Sequence, residues 1–423
     1  MRRSSVASTF VALALLTVPA WAPATTYVLL NDRALAERAS RIVRGRVDAV
    51  HAVEGRAALE YRVAVERTLQ GVSEETITVR VPGNPAPVHG PALEVWGAPA
   101  FTPGERVLLF LTRSGDGSER VVHLAQGAFR VVETAGRPLV VRPLPGAREA
   151  AGIRPHATEA ERHGWRDLER FEAWLVERPA RRADYFVAGG GVHTGGLLSA
   201  MAEADAWGRL RWFAFDRGPR SARRVSWKTH SIGQRGLPGA GHREVRAALR
   251  AWTRHRGSNV AYVYDGVTDA TAGLAEYDRI NSVVFDSTMD EPYDCAAGGT
   301  LAIGGPWYEE EADGTFRGRR YHRIVGADVE VMRGVECFFE TSRDPRRAAL
   351  ELIAHELGHT LGLGHSCGDE SSGDCRSRRS DEALMRAYIH DDGRGGRLTA
   401  WDRAAICELY PRGRLTGAQC AGR

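Results

Sequence analysis

The sequence predicts an α+β protein in which a small all-β, barrel-like domain precedes a larger domain of strands and long helices. Short β-branched and aromatic runs, separated by glycine and proline, fill residues 25–145. From residue 206 onward, β-rich runs alternate with segments of helical periodicity. At 423 residues the chain is also too long for one ordinary domain.

Residues 1–24 have the three parts of a secretory signal peptide. Two arginines precede the apolar stretch Val6–Val18, and Ala22-Pro23-Ala24 supplies a small-x-small cleavage site. We expect the mature chain to begin near Thr25 and to be secreted, to the extracellular space or the periplasm. The apolar stretch is short for a bilayer, and no later run of about 20 apolar residues follows, so no membrane span is expected.

Residues 25–145 read as a helix-like segment, Ala34–Ile42, followed by several short strands. Their number and spacing favour a small closed barrel, and the pattern resembles an OB-like or netrin-type module. The predicted strands are Val43–Val50, Tyr61–Val65, Thr76–Val81, Arg106–Leu111, Val121–Leu124, Phe129–Val132 and Leu139–Val141.

Residues 146–205 are predicted to be a helical segment and a linker. Trp165–Val176 places apolar residues on one helical face. The glycine clusters Gly189–Gly191 and Gly195-Gly196 indicate a flexible connector. They lack the preceding strand and following helix of a phosphate-binding loop.

The most informative stretch is His355-Glu356-Leu357-Gly358-His359-Thr360-Leu361-Gly362-Leu363-Gly364-His365. Histidines four apart share one helical face, so His355 and His359 can hold one ion. Gly362 permits a sharp turn that brings in His365 as a third ligand. Three protein ligands leave one tetrahedral position open, which is typical of a catalytic zinc site. Glu356 is placed to act as a base without binding the metal.

This stretch resembles the long zinc signature of the metzincin peptidases, and Ser366 is similar to the matrixin branch. Met385, twenty residues beyond His365, resembles the metzincin Met-turn, and Leu398–Tyr410, with Thr399 as N-cap, resembles the closing matrixin helix. The resemblance covers roughly residues 206–412. It implies that residues 206–423 form a matrixin-like zinc peptidase domain with a twisted mixed sheet and long helices.

Fainter resemblance extends upstream. It implies that Leu301, Ala302, Ile303 and Gly304 form the edge strand that pairs with substrate. The matching segments are Val225–Lys228, His242–Arg254, Val260–Tyr264, Ser282–Phe285, Thr300–Gly305 and Ala327–Val331.

Three departures from the matrixin pattern matter. Ile303 stands where a structural-zinc histidine is expected, so a single zinc is predicted. Arg386-Ala387-Tyr388 replaces the Tyr-Pro that follows the Met-turn in the family, so the specificity pocket is not carried over. No cysteine precedes Cys295, which excludes a cysteine switch.

We therefore expect a secreted zinc endopeptidase that acts on peptides or proteins, with Glu356 as general base. The alternative is a non-catalytic, zinc-bearing secreted binding or adhesion protein. Glu356 argues against it, because metal binding alone requires no base there. The amino-terminal domain could be a pro-domain or inhibitor, a targeting module or a folding partner.

Six cysteines fit an exported protein. Spacing favours Cys367–Cys375, with Cys295–Cys337 and Cys407–Cys420 following by default; a cysteine metal site is the alternative. Calcium and solvated loops are equally open interpretations of two acidic clusters. A net charge of +4 gives no indication of nucleic-acid binding, and the oligomeric state stays open. The clusters are Asp286, Asp290 and Asp294, and Asp369, Glu370 and Asp374.

Overall fold

The structure is a computed structural model that describes most of the chain after residue 25. It covers residues 26–87, 89–134, 137–144, 164–178, 184–187, 209–216, 224–369, 372–373, 375–413 and 416–421. The predicted signal peptide and both glycine clusters lie outside these residues. We call the described residues between 26 and 187 the amino-terminal unit, and those between 209 and 421 the carboxy-terminal unit.

The amino-terminal unit is mostly β-structure with two helices. Its elements are β1 (Thr26–Val28), α1 (Asp32–Arg38), β2 (Arg41–Ala52), β3 (Ala58–Gln70), β4 (Thr76–Pro82), β5 (Ala92–Leu93), β6 (Arg106–Arg113), β7 (Glu119–Val121), β8 (Ala128–Thr134), β9 (Arg137–Val141), β10 (Arg166–Asp167) and α2 (Leu168–Glu177).

The carboxy-terminal unit mixes strands and helices. Its elements are β11 (Leu210–Arg211), β12 (Val225–His230), α3 (His242–Thr253), β13 (Tyr262–Thr268), β14 (Ser282–Ser287), β15 (Gly299–Tyr308), β16 (Gly314–Phe316), β17 (Arg319–Met332), α4 (Glu336–Thr341), α5 (Pro345–His359), α6 (Arg378–Asp381), α7 (Ala400–Leu409) and α8 (Gly417–Ala421).

Five strands of the amino-terminal unit close into the predicted barrel. Strand β2 pairs with β3, β3 with β4, β4 with β7, β7 with β6, and β6 again with β2. Only the β4–β7 pair of this ring is parallel. Strand β4 shows why the chain closes this way: Ile77, Val79 and Val81 alternate with polar residues and point into the apolar interior.

The segment 166–177 packs onto this barrel. Strand β10 pairs with β9, and α2 shares a buried cluster with Phe110 and Phe129 of the barrel. Residues 166–167 form a strand rather than the first turn of the predicted helix, because the Asp167 side chain caps the helix that begins at Leu168.

The second sheet has the order β1-β15-β17-β14-β12-β13, with β5 also on β15 and with β11 and β16 on β17. Strands β12, β13, β14 and β17 are mutually parallel, and β15 is antiparallel to β17. Helix α3 buries Val245, Ala248, Leu249 and Trp252, the face that periodicity predicts. The Trp252 indole donates to the Ala354 carbonyl at 2.8 Å, which joins α3 to α5.

The structure contains the disulfides Cys295–Cys337 and Cys367–Cys375. Cys407 is also disulfide-bonded, and the side chain of its predicted partner Cys420 lies outside the described part. Within the described ranges, no helix is both long enough and apolar enough to cross a membrane. Val121–Leu124 is not one strand: β7 ends at Val121, and His123 takes a left-handed conformation before a 3-10 turn at Leu124–Gly127.

Candidate metal and catalytic site

Helix α5 presents the first two histidines. Asp344 caps its amino terminus by accepting a hydrogen bond from the Arg347 amide at 3.2 Å, and Pro345 occupies the first turn. The last two turns of the helix are buried, so the His355 and His359 side chains lie inside the protein.

The third histidine arrives through the predicted glycine turn. Gly362 has a φ of +83°, and a Cβ built there would lie 2.5 Å from the Leu210 carbonyl oxygen. Glycine is therefore required both by the backbone conformation and by the close approach. The turn returns the chain to place the buried His365 opposite the helix.

The three imidazoles converge through their Nε2 atoms. His355 Nε2 lies 2.8 Å from His359 Nε2 and 3.1 Å from His365 Nε2. Each Nδ1 has another oxygen partner: the Leu384 carbonyl at 2.7 Å for His355, the Leu363 carbonyl at 2.8 Å for His359, and Asp369 Oδ2 at 2.5 Å for His365.

Those partners fix the protonation of the rings. Carbonyl oxygens only accept, so Nδ1 of His355 and of His359 carries the proton and Nε2 keeps its lone pair. Burial first, and neighbouring imidazoles second, lower the pKa of both rings well below the usual value. The rings are thus neutral, which is the state that binds metals.

Two carboxylates support this geometry, and the sequence did not reveal either role. Asp369, which sequence reasoning assigned to an acidic cluster, instead orients His365 and accepts from the Ser372 amide at 2.7 Å. Buried Asp402 accepts from the Leu384 amide at 2.9 Å and the Met385 amide at 3.1 Å. It therefore holds the turn whose carbonyl orients His355.

Met385 packs against the helix that carries the first two histidines. It is fully buried, and a Cβ added to Gly358 would lie 2.2 Å from its sulfur and 2.8 Å from the Trp252 ring. A glycine between the two helical histidines thus lets the sulfur approach the helix.

Glu356 is fully buried beside His355, and it contacts the beginning of the described chain. Its Oε1 accepts from the Thr26 hydroxyl at 2.6 Å and from the Thr26 amide at 3.3 Å, while its Oε2 has no hydrogen-bond partner. Burial raises the pKa of this carboxyl to about 8, against the opposing effects of the Thr26 hydrogen bonds and of the nearby Gly304 backbone.

The predicted edge residues Leu301–Gly304 lie in β15, and both long sides of that strand are occupied. One side pairs with β17. The other carries β1 near Ala302 and β5 near Trp307, both antiparallel. Beyond β5, Trp96 stacks on the His359 ring with centroids 5.8 Å apart.

Two acids of the first acidic cluster have separate arginine partners. Asp286 pairs with Arg235, and Asp294 pairs with Arg38. Of the second cluster, Glu370 and Asp374 lie outside the described residues. Two groups in the described part could hold a cation: the three histidines, and His123 with Asp290 and Glu291.

No family model matches this chain, and no curated protein matches it. Among solved structures, it is similar to the crystal structure of myroilysin, with 14% sequence identity and a TM-score of 0.22. The match covers 44% of this chain and 84% of that one. A similarity this low carries no argument about function.

Proposed function

We propose that this protein is a secreted zinc-dependent endopeptidase of the metzincin type. The observation that carries the proposal is the convergence of His355, His359 and His365 beside Glu356. Two of the unprotonated Nε2 atoms lie 2.8 Å apart, where two lone pairs facing each other repel. A cation between the rings removes that repulsion.

The donor set fits zinc. Neutral imidazoles oriented by carbonyl or carboxylate partners are common zinc ligands. Zinc–nitrogen bonds of about 2.0–2.1 Å in a tetrahedral site place the nitrogens roughly 3.3 Å apart, so a few tenths of an ångström of opening suffice. Bound zinc would supply a Lewis acid that activates water and polarises the scissile carbonyl.

Glu356 would carry the proton transfers. Its free Oε2 can accept the proton of the attacking water and then deliver it to the leaving amine. The adjacent His355 ring is held by the Leu384 carbonyl and stays fixed while the proton moves. General acid–base catalysis of this kind contributes about 10²–10⁴-fold.

Strand β15 would position the substrate. Its side facing away from β17 offers backbone groups to an extended chain, and β1 demonstrates antiparallel pairing there. The two disulfides support the secreted location, because such bonds persist in oxidising compartments.

The test is the Glu356→Ala variant of the full chain, assayed with zinc and a quenched peptide library. It should bind as much zinc as the wild type while peptide cleavage falls by about 10³-fold. Glu340→Ala, an exposed glutamate of α4, is the matched control and should cleave normally. Full activity of Glu356→Ala with zinc bound would refute the assignment.

A non-catalytic zinc-bearing protein is the second candidate. The specific observation in its favour is that Thr26 already occupies Glu356 Oε1. This second candidate would be supported if the wild-type protein binds zinc but cleaves peptides no faster than Glu356→Ala under every tested condition.

A further inference from the structure

We infer that the structure shows a latent enzyme whose own amino-terminal strand β1 occupies the substrate path. This inference rests on the proposed function. Thr26 pairs with Ala302, Tyr27 with Thr300 and Val28 with Gly299, along the side of β15 that substrate needs. Every residue of β1 is buried.

The strand also blocks the catalytic base. The Thr26 hydroxyl and amide both donate to Glu356 Oε1, so the oxygen is hydrogen-bonded to the chain itself. The Tyr27 hydroxyl donates to the Gly368 carbonyl at 3.3 Å, beyond the third histidine. Strand β1 thus spans from the base toward the loop that follows His365.

A rigid network attaches this strand to the amino-terminal unit. Gln126 Oε1 accepts from the Leu30 amide at 2.9 Å, and Arg142 Nη1 donates to the Leu30 carbonyl at 2.7 Å. Immediately beyond, Asp32 receives two hydrogen bonds from Arg166, at 2.8 and 2.9 Å, and both side chains are fully buried. The amino-terminal unit therefore holds β1 in place, and the cleft opens when the two units separate.

Strand β5 covers the other end of the same side. Leu93 pairs with Trp307, and the Glu94 amide donates to the Pro306 carbonyl at 3.1 Å. A Cβ added to Gly305 would lie 2.2 Å from the Glu94 carbonyl oxygen, which shows how closely the units meet. A peptide substrate must displace both strands.

The test compares zinc-loaded full chains of wild type, Thr26→Val and the control Thr76→Val, an exposed threonine of β4. Valine keeps the β-branched shape of threonine and removes the hydroxyl donor to Glu356, while the weaker amide donor remains. Loss of that hydrogen bond to an acidic group should raise peptide cleavage about tenfold or more in Thr26→Val only. Binding of a fluorescent peptide hydroxamate, which needs an open cleft but no turnover, should tighten by a similar factor.

The outcomes separate the two proposals. Equal cleavage and equal hydroxamate binding by wild type and Thr26→Val, well above the Glu356→Ala background, would overturn latency alone. If Thr26→Val binds the hydroxamate more tightly than wild type and still does not cleave above that background, the peptidase proposal fails. Hydroxamate binding then still decides whether β1 covers the site.

Discussion

The two long sides of β15 are covered in different ways. Against β17, β15 forms an antiparallel ladder from Ala302 to Tyr308, interrupted only by a register shift after Trp307, within one unit. On the other side, β1 and β5 contribute three and two paired residues from the other unit. The first side lies within the carboxy-terminal unit, whereas the second is formed by the amino-terminal unit, with Val28 and Leu93 in the same buried cluster as Ile303.

The largest effect on stability is expected from disrupting the contact between β15 and β17. Asp328 accepts from the Ser282 amide at 2.9 Å, the Ser282 hydroxyl at 2.7 Å and the Trp307 indole at 3.0 Å, tying together three strands. Asp328→Ala leaves these buried donors unpaired and should lower the free energy of unfolding by about 3–5 kcal/mol. Urea titration followed by tryptophan fluorescence measures it, and exposed Asp265→Ala is the control. A change below about 1 kcal/mol would contradict the central role of this side.

Where β5 packs against β15, the stability of the protein should depend on pH through Glu94. Burial raises the pKa of this carboxyl to about 8 from an ordinary 4.5. The pKa of Glu94 is higher in the folded chain than in the unfolded one. Its contribution to the stability of the fold is therefore complete below about pH 4.5 and is lost as the pH rises through 8. Glu94→Gln removes the ionisation, so at pH 9 it should be more stable than wild type by about 3–5 kcal/mol.

Thermal melts at pH 5 and pH 9 measure this difference. Glu94→Gln and wild type should unfold at nearly the same temperature at pH 5 and diverge at pH 9. Exposed Glu54→Gln should follow the wild type at both. Parallel pH profiles of Glu94→Gln and wild type would exclude Glu94 as the source.

Zinc binding by the three histidines should not depend on whether β1 and β5 cover β15. Asp369→Asn weakens the support of His365 and should reduce zinc affinity by about 10–100-fold. Competition with a fluorescent chelator measures this loss, with exposed Asp48→Asn as control. Unchanged zinc affinity in Asp369→Asn would mean that the carboxylate supports the loop rather than the ligand.

The smallest effect is expected at the rim between the units. Arg38 of α1 pairs with Asp294, and the Asp294 side chain is 45% exposed. Such pairs contribute less than about 1 kcal/mol, so Arg38→Ala should increase hydroxamate binding by less than about fivefold. The increase should disappear in 1 M salt. If Arg38→Ala increased hydroxamate binding more than Thr26→Val does, the main contact that keeps the cleft closed would be the Arg38–Asp294 pair rather than Thr26.

Local sequence patterns predicted the elements that build the site. Four-residue spacing placed His355 and His359 on one helix, and Gly362 adopts the positive φ that its position implied. The barrel and the α3 face also followed from periodicity. The metal and the catalytic roles remain predictions that the experiments above address.

The contacts between the units could not be predicted in this way. Strands of two or three residues, such as β1 and β5, are too short to show a period. Thr26 and Glu356 are 330 residues apart, and nothing local to either indicates the other. Asp369 and Asp402 look like ordinary acidic residues until the fold brings them to backbone amides or an imidazole.

The disulfide Cys367–Cys375 encloses Asp369, the residue that orients the third imidazole. In a cytosol rich in glutathione this loop would be open, and His365 would lose its fixed support. A reduced chain should therefore bind zinc more weakly than an oxidised one. Under the secretion proposed above, the site would be completed only when the chain reaches an oxidising compartment.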